Sequence, residues 1–540
     1  MACIQAPAQK WFKKVRKAQV NVMTYDESGQ LLRSTNGFVI SENGMALSDY
    51  TAFKGAARAI AIDEAGKQYE IDYIAGANSL YDVVRFHING IKTTPIMIAP
   101  TAALKGGTAY VMPYLSNKSG TTIPAPIADV SRFNEQYSYY TLTVQVPEKS
   151  TSCPVMNEDG EVIGLLQMAA KDTEKQCFAI SADYPLSLVT TAFSATTADY
   201  NDIGIRKELP ADASQANSFI YLTGTRDTTR YMTYVDDFIK RFPAEANGYV
   251  MKSEILCAQG RYAEAEQNWI QGLEAAIGKD EIHYDMARGI FSQAQKDPNI
   301  PDTWTLERAL TEAQAAYEAN PLPTYTALEG HILYSQHAYE EAFGKFTEVC
   351  RTNLRSAEHF LYAAQCRQML NDTIGVLAMQ DSAVACFTKP YVSEAATPLL
   401  MRANTLIAMG SYRDAVADLN EYEHLRINQV NANFYDQRAQ AELNCRMFQQ
   451  ALDDYERACK LDPEEPFYRA QLAALHYRVG QTDEAIAAAR LAISMDDEFA
   501  DAYRILGVAL RSKGQEAEAR QQLQKAAQLG DTIAKSLLDE

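Results

Sequence analysis

Residues Lys149–Gln167 read KSTSCPVMNEDGEVIGLLQ. After Pro154 comes a short apolar run, then the turn residues NEDGE, then the apolar run VIGLL. Two apolar runs joined by Asn, Asp and Gly predict a β-hairpin. The same grammar extends outward. From about Ala18 to Leu188, short runs rich in Val, Ile, Thr and Tyr (AQVNVMTY, GFVIS, YEIDYI, VVRFHI, YYTLTVQV, CFAIS) alternate with turn segments such as DESGQ and SENG. Many short strands of this kind predict a barrel or sandwich over residues 18–190. Residues 191–211 lose periodicity and read as a linker.

Bulk numbers narrow the function. With 540 residues, two to four domains are expected. A formal net charge of -19 argues against nucleic acid as a main partner, because phosphate binding needs a basic face. The first 17 residues run the other way, with Lys10, Lys13, Lys14, Arg16 and Lys17. Such a run is a solvated terminus or a peripheral membrane contact. No apolar run approaches the ~18 residues that span a bilayer. MACIQAPAQKWFKKVRK has no apolar core of a secretory signal, although Cys3 follows a small residue as at a lipoprotein cleavage site.

The nine cysteines form no Cys-x-x-Cys pair and do not group with histidine at zinc spacing. His331 and His337, six apart, are too loosely spaced for a metal. Walker, Rossmann and His-Glu-x-x-His motifs are absent from the sequence. No cofactor or metal is therefore expected. Cys153 and Cys177 flank a predicted hairpin, which is compatible with a bridge in an oxidising compartment or with two buried thiols.

Beyond residue 216 the period turns helical. Segments of 34 residues align from Ala432, Pro466 and Ala500. They place Ala451, Ala485 and Ala519 at one shared position, and Ala458, Ala492 and Ala526 at another. Gly480 and Gly514 mark the turns. DAYRILGVALRSKGQEAEARQQLQKAAQL (Asp501–Leu529) closely resembles the tetratricopeptide repeat (TPR). Weaker copies lie in MGSYRDAVADL, HAYEEAFGKF and QGRYAEAEQNW. The expectation is an all-α solenoid of about eight or nine repeats over 212–533, closed by a helix whose end occupies 534–540. The resemblance implies a groove lined by first helices that binds peptides or proteins. Asn404, Asp436, Gln440, Tyr477, Arg478, Arg504 and Arg511 are its candidate residues, with the arginines suited to a carboxylate.

The β-rich half resembles the chymotrypsin/trypsin-fold peptidases, most closely the bacterial HtrA-like ones. The resemblance rests on NGFVISENGMALSDYTAFKGA, GANSLYDVVRFHI, ALKGGTAYVMPY and CPVMNEDGEVIGLLQ, met in the family's order. It implies a double barrel with a catalytic Asp at Asp82. The base His position falls on Thr51, and the nucleophile position falls on Thr151. The glycines of the oxyanion loop fall on Lys149, Ser152 and Cys153. A one-residue shift would put Ser150 or Ser152 at the nucleophile, but no shift supplies a histidine. The one histidine of this half, His87, lies on the wrong segment and the wrong strand face. A hydroxyl without a base is a poor nucleophile. The expectation is a non-catalytic pseudoprotease joined to TPRs, acting as a protein-interaction scaffold in the bacterial cell envelope. The alternatives are a peptidase with a non-standard site and an intracellular TPR co-chaperone. Asp82 is expected to serve structure by accepting hydrogen bonds from Thr51 or from backbone N–H groups.

Overall fold

The computed structural model describes residues 11–114, 122–147, 149–167, 176–223 and 228–539. It divides into two units after Ile282.

The first unit contains two closed six-stranded antiparallel barrels. Barrel one comprises β1 (Gln19–Tyr25), β2 (Leu31–Val39), β3 (Met45–Ser48), β4 (Arg58–Ile62), β5 (Gln68–Asn78) and β6 (Val83–Ile88), in the order β1-β2-β3-β6-β5-β4. Barrel two comprises β7 (Thr108–Val111), β8 (Ile123–Phe133), β9 (Tyr137–Leu142), β10 (Pro154–Met156), β11 (Val162–Gln167) and β12 (Cys177–Ser181), and it repeats that order as β7-β8-β9-β12-β11-β10. Closure leaves no free sheet edge. Alternating side chains fill the barrels: Val20 and Val22 on β1 and Phe86 on β6 are fully buried.

The opening stretch is the β10–β11 hairpin, with Pro154 opposite Leu165. Gly160 turns it at φ +80°. A Cβ there would collide with Trp11, whose Nε1 donates to the Glu158 carbonyl at 3.0 Å. The turn is therefore shaped for glycine by both its backbone angle and its neighbour.

One expectation is extended and one corrected. Lys13, Lys14 and Lys17 are exposed, as a solvated basic run has them, but the segment is not unstructured. Phe12–Ala18 is a helix, Val15 and Ala18 are buried in the first barrel's core, and Arg16 pairs with Glu64 at 2.7 Å. Lys10 and Cys3 lie outside the described residues. Nor is 191–211 a free linker. Ile203 and Ile205 enter the same core, Lys207 forms a parallel bridge with Ile74 of β5, and the Gly55 N–H donates to the Asp202 carbonyl at 2.7 Å. The segment forms two short helical turns, Ala192–Thr196 and Ala198–Asn201, and then a strap over 202–208 whose backbone groups find partners on the barrel.

The first unit continues into helices Ala213–Thr223, Thr228–Arg241, Ala246–Ala258 and Tyr262–Ala275. Helix Lys279–Ala294 crosses the division. In the second unit, helices alternate in pairs to Glu516–Gln528, and Thr532–Asp539 ends the series. Among the described residues, no helix is long and apolar enough to cross a membrane. The repeated alanines have the predicted packing role: Ala451, Ala485 and Ala519, and Ala458, Ala492 and Ala526, are all fully buried. At Gly507 a Cβ would lie 2.7 Å from the Leu523 Cγ of the paired helix. The two backbones approach because that side chain is missing.

Candidate functional site

Strand β3 ends at Ser48, and Asp49 N-caps the short helix Tyr50–Phe53, accepting the Ala52 N–H at 2.9 Å. This places Thr51 in a cleft of about 580 Å³, with Asp82, Thr151, Arg33, Lys149 and Tyr114 also in its lining. The three positions matched to the triad are thus brought together. Asp82, held at φ +51° just before β6, accepts the Thr51 N–H at 2.7 Å. Burial pushes its carboxyl above the usual carboxylate range, while the Thr51 hydroxyl and N–H pull it back. The carboxylate that would orient a base therefore caps backbone instead.

His87 lies on β6 facing elsewhere. Its Nδ1 is 2.5 Å from Asp72 Oδ1 and its Nε2 is 2.6 Å from the Asn43 carbonyl. Its ring stacks on Tyr73 at 4.7 Å. The hydrogen bond to Asp72 raises its pKa above the ordinary histidine value. Both ring nitrogens are engaged, and the ring is not among the residues lining the cleft.

Sequence reasoning passed over the group that organises the nucleophile loop, which is Asp49. Its Oδ1 accepts the Thr35 hydroxyl at 2.5 Å and the Ser152 hydroxyl at 2.6 Å. Ser152 stands at φ +64°, a left-handed conformation that glycine adopts most readily. It is retained here by the side-chain bond to Asp49 and by its N–H donating to the Leu166 carbonyl at 2.8 Å. Asn36 Nδ2 donates to the carbonyls of Lys149 and Thr151, both at 2.8 Å. A polar clamp thus holds this loop with Lys149, Ser152 and Cys153 at the positions matched to glycines. The one legible signal was Asp49 itself, an N-cap residue directly before YTAF.

The clamp bears on the alternative nucleophiles. Ser152 is fully buried with its proton on Asp49, and Ser150 is 1% exposed with no hydrogen-bond partner for its hydroxyl among the described residues. Neither serine lines the cleft, whereas Thr151 does. Asp49→Asn keeps the size but turns one acceptor oxygen into a donor. It should cost about 2 kcal/mol, read as a lower urea midpoint of the first unit.

The Cys153–Cys177 bridge is not formed. Both are free, buried thiols, and Cys177 Sγ donates to the Val144 carbonyl at 3.3 Å. Burial pushes Cys153 up to about 12 and Cys177 to about 11, which suppresses the reactive thiolate.

In the second unit the groove candidates separate. Asn404 accepts Gln437 Nε2 at 2.6 Å, and Gln440 Nε2 lies 3.0 Å from both Asp436 oxygens. Tyr477 and Arg478 are exposed, and Arg478 lies over the Phe448 ring at 4.9 Å. Arg504 and Arg511 do not await a ligand carboxylate. Arg504 bonds Asp501 and Asp531, each at 2.6 Å, and Arg511 donates to the Leu537 carbonyl at 2.9 Å. They fasten the closing helix, which brings acceptors that a sequence repeat does not reveal.

A second missed feature lies inside the repeats. Glu329–Lys345, Arg402–Asp418 and Arg438–Asp454 are ion pairs at 2.7 Å. Each joins the seventh residue of a first helix to the seventh of its partner, 16 positions on. The two Arg–Asp pairs are bidentate.

Comparison with known proteins finds partial matches in both parts of the chain. A tetratricopeptide-repeat family model matches residues 471–532. The chain is 24% identical over 277 residues to the mouse Superkiller complex protein 3, covering 51% of this chain and 17% of that protein. It is 38% identical over 79 residues to the Small glutamine-rich tetratricopeptide repeat-containing protein 2 of Mycosarcoma maydis, covering 15% and 22%. The chain thus spans less than a quarter of the length of these relatives. Among solved structures, it is similar to the active form of the Rv3671c protease from M. tuberculosis (18% identity, TM-score 0.29, 34% of this chain and 88% of that one). It is also similar to the serine endoprotease from Yersinia pestis (20% identity, TM-score 0.28, 33% and 64%). The chain thus joins two six-stranded barrels of identical strand order to a series of helix pairs, of which residues 471–532 match the tetratricopeptide-repeat model, a repeat that indicates protein–protein interaction.

Proposed function

We propose that this protein is a non-catalytic interaction scaffold: a pseudoprotease barrel pair that displays a shaped cleft, coupled to repeats that bind a protein or peptide partner. One observation carries the reading. The base position is Thr51, and Asp82, which would orient a base, instead accepts the Thr51 backbone N–H. Without a base, the Thr151 hydroxyl stays protonated and weakly nucleophilic. The cleft nonetheless keeps its form, because the Asp49 and Asn36 clamps hold the loop.

The test is active-site labelling. A fluorophosphonate probe should leave the full chain unlabelled under conditions that label trypsin completely. Labelling of Thr151 that vanishes in Thr151→Val would reverse the reading in favour of a peptidase. The bacterial cell envelope is the proposed setting, on the strength of the motif resemblance. Fractionation of native cells checks it, and recovery in the cytosol would favour the co-chaperone alternative.

A further inference from the structure

Residues 194–207 and helices Ala213–Thr223 and Thr228–Arg241 line a partly open cavity of about 360 Å³ in the first unit. It shares no lining residue with the cleft. Lys207, only 8% exposed, is part of its lining. The barrel fixes this lysine in place: it bridges to Ile74, and its backbone N–H donates to the Tyr234 hydroxyl at 2.9 Å. Its Nζ donates to the Ile203 carbonyl at 2.6 Å and also to the Ile205 carbonyl. An ammonium has three N–H donors, so one remains.

Among the described lining residues there is no carboxylate; Ser194, Thr196, Asn201 and Thr223 supply neutral polar groups, and Arg230 adds a second cation. Burial and the Arg230 charge lower the Lys207 pKa to about 7. Two carbonyl dipoles are a weak substitute for a counter-ion at a buried cation. Leu222 lines the cavity while 43% exposed. Phe219 and Tyr200 are buried in the wall. A buried lysine, hydroxyl-bearing side chains and the apolar groups of Phe219 and Leu222 in one lining match a molecule with an anionic head and an apolar body. The volume sits at the low end for ligand pockets, which favours a small molecule over a chain segment.

We propose that this cavity is a binding site for a small organic carboxylate, its head on Lys207 Nζ and its short apolar body against Phe219 and Leu222. A carboxylate there completes the lysine's third hydrogen bond and places an anion beside its ammonium.

Titration calorimetry of the full chain with sodium octanoate at about pH 8 tests this. Octanoate should bind once per chain and draw a proton from the buffer, because the ligand favours the charged lysine. Lys207→Met should weaken binding about 10- to 100-fold and abolish the proton uptake. Leu222→Glu, a lining change that spares the buried lysine, should weaken binding while the thermal midpoint holds, so that a folding failure in the first variant leaves the test intact. Several results would overturn the proposal. They are absence of octanoate binding, equal affinity in Lys207→Met, binding of n-octanol as tight as that of octanoate, and preference for inorganic phosphate or a free-carboxyl tetrapeptide over octanoate.

Discussion

Arg438→Ala should destabilise the second unit by about 3–4 kcal/mol. The guanidinium is 3% exposed and makes bonds of 2.7 and 2.8 Å to Asp454, one of 2.7 Å to Glu423 and one of 2.9 Å to Asn420. It also lies over Phe434 and Tyr435, 5.2 and 5.5 Å from the ring centres. Removing it leaves Asp454, itself 2% exposed, as a buried carboxylate. Arg457 remains 3.9 Å from Asp454 and 3.0 Å from Glu423, too distant and too exposed to replace the bidentate pair. The cost comes mostly from orphaning a charge, not from the pair's net value. The double change Arg438→Met with Asp454→Leu, which removes both charges, should therefore restore most of the loss. Urea unfolding of the single and double variants distinguishes these. A single-variant loss below about 1 kcal/mol would mean that the pair is solvated as a surface pair would be.

Glu442 should make the second unit less stable as pH rises. It sits four residues after Arg438 on helix Ala432–Asn444, 2% exposed, and its Oε2 has no hydrogen-bond partner among the described residues. Burial is the largest influence; Asp454 and Asp453 add to it, while Arg438 and Arg457 oppose it, and its pKa rises from 4.5 to about 8. The folded state therefore holds a proton that the unfolded state has released between those values. The contribution is fully present below about pH 4.5, declines as pH rises, and is lost above about pH 8. At 1.36 kcal/mol per unit, it spans about 4–5 kcal/mol in all, of which about 2–3 kcal/mol falls between pH 6 and 9. Glu442→Gln keeps the shape and cannot ionise, so its stability should stay flat over that interval and exceed that of the parent near pH 9. Parallel slopes for the two proteins would place the titrating group elsewhere.

Much of the architecture was legible because it rests on local rules. The NEDG turn between two apolar runs became β10 and β11, since a tight turn and alternating burial are properties of neighbouring residues. Alanines recurring every 34 residues became fully buried helix contacts, since one repeat's packing reappears in the next. Motif order alone also placed Thr51, Asp82 and Thr151 in one cleft.

What escaped the sequence depends on partners far apart along the chain. Asp49 reads as a helix cap, and its hold on Ser152, 103 positions away, exists only once the two barrels are packed. Residues 191–211 show no period because their two helical turns are too short to repeat and the hydrogen bonds of 202–208 go to β5 and to the loop after Phe53. Arg504 and Arg511 look like groove cations until the closing helix brings Asp531 and the Leu537 carbonyl to them. By itself the sequence determined two barrels of strands and a run of helix pairs, because hydrophobic period and turn chemistry are written locally. Tertiary structure alone decided which polar groups are satisfied and which cations are spent, because hydrogen bonds and ion pairs are settled by proximity in space, which pattern along the chain does not encode.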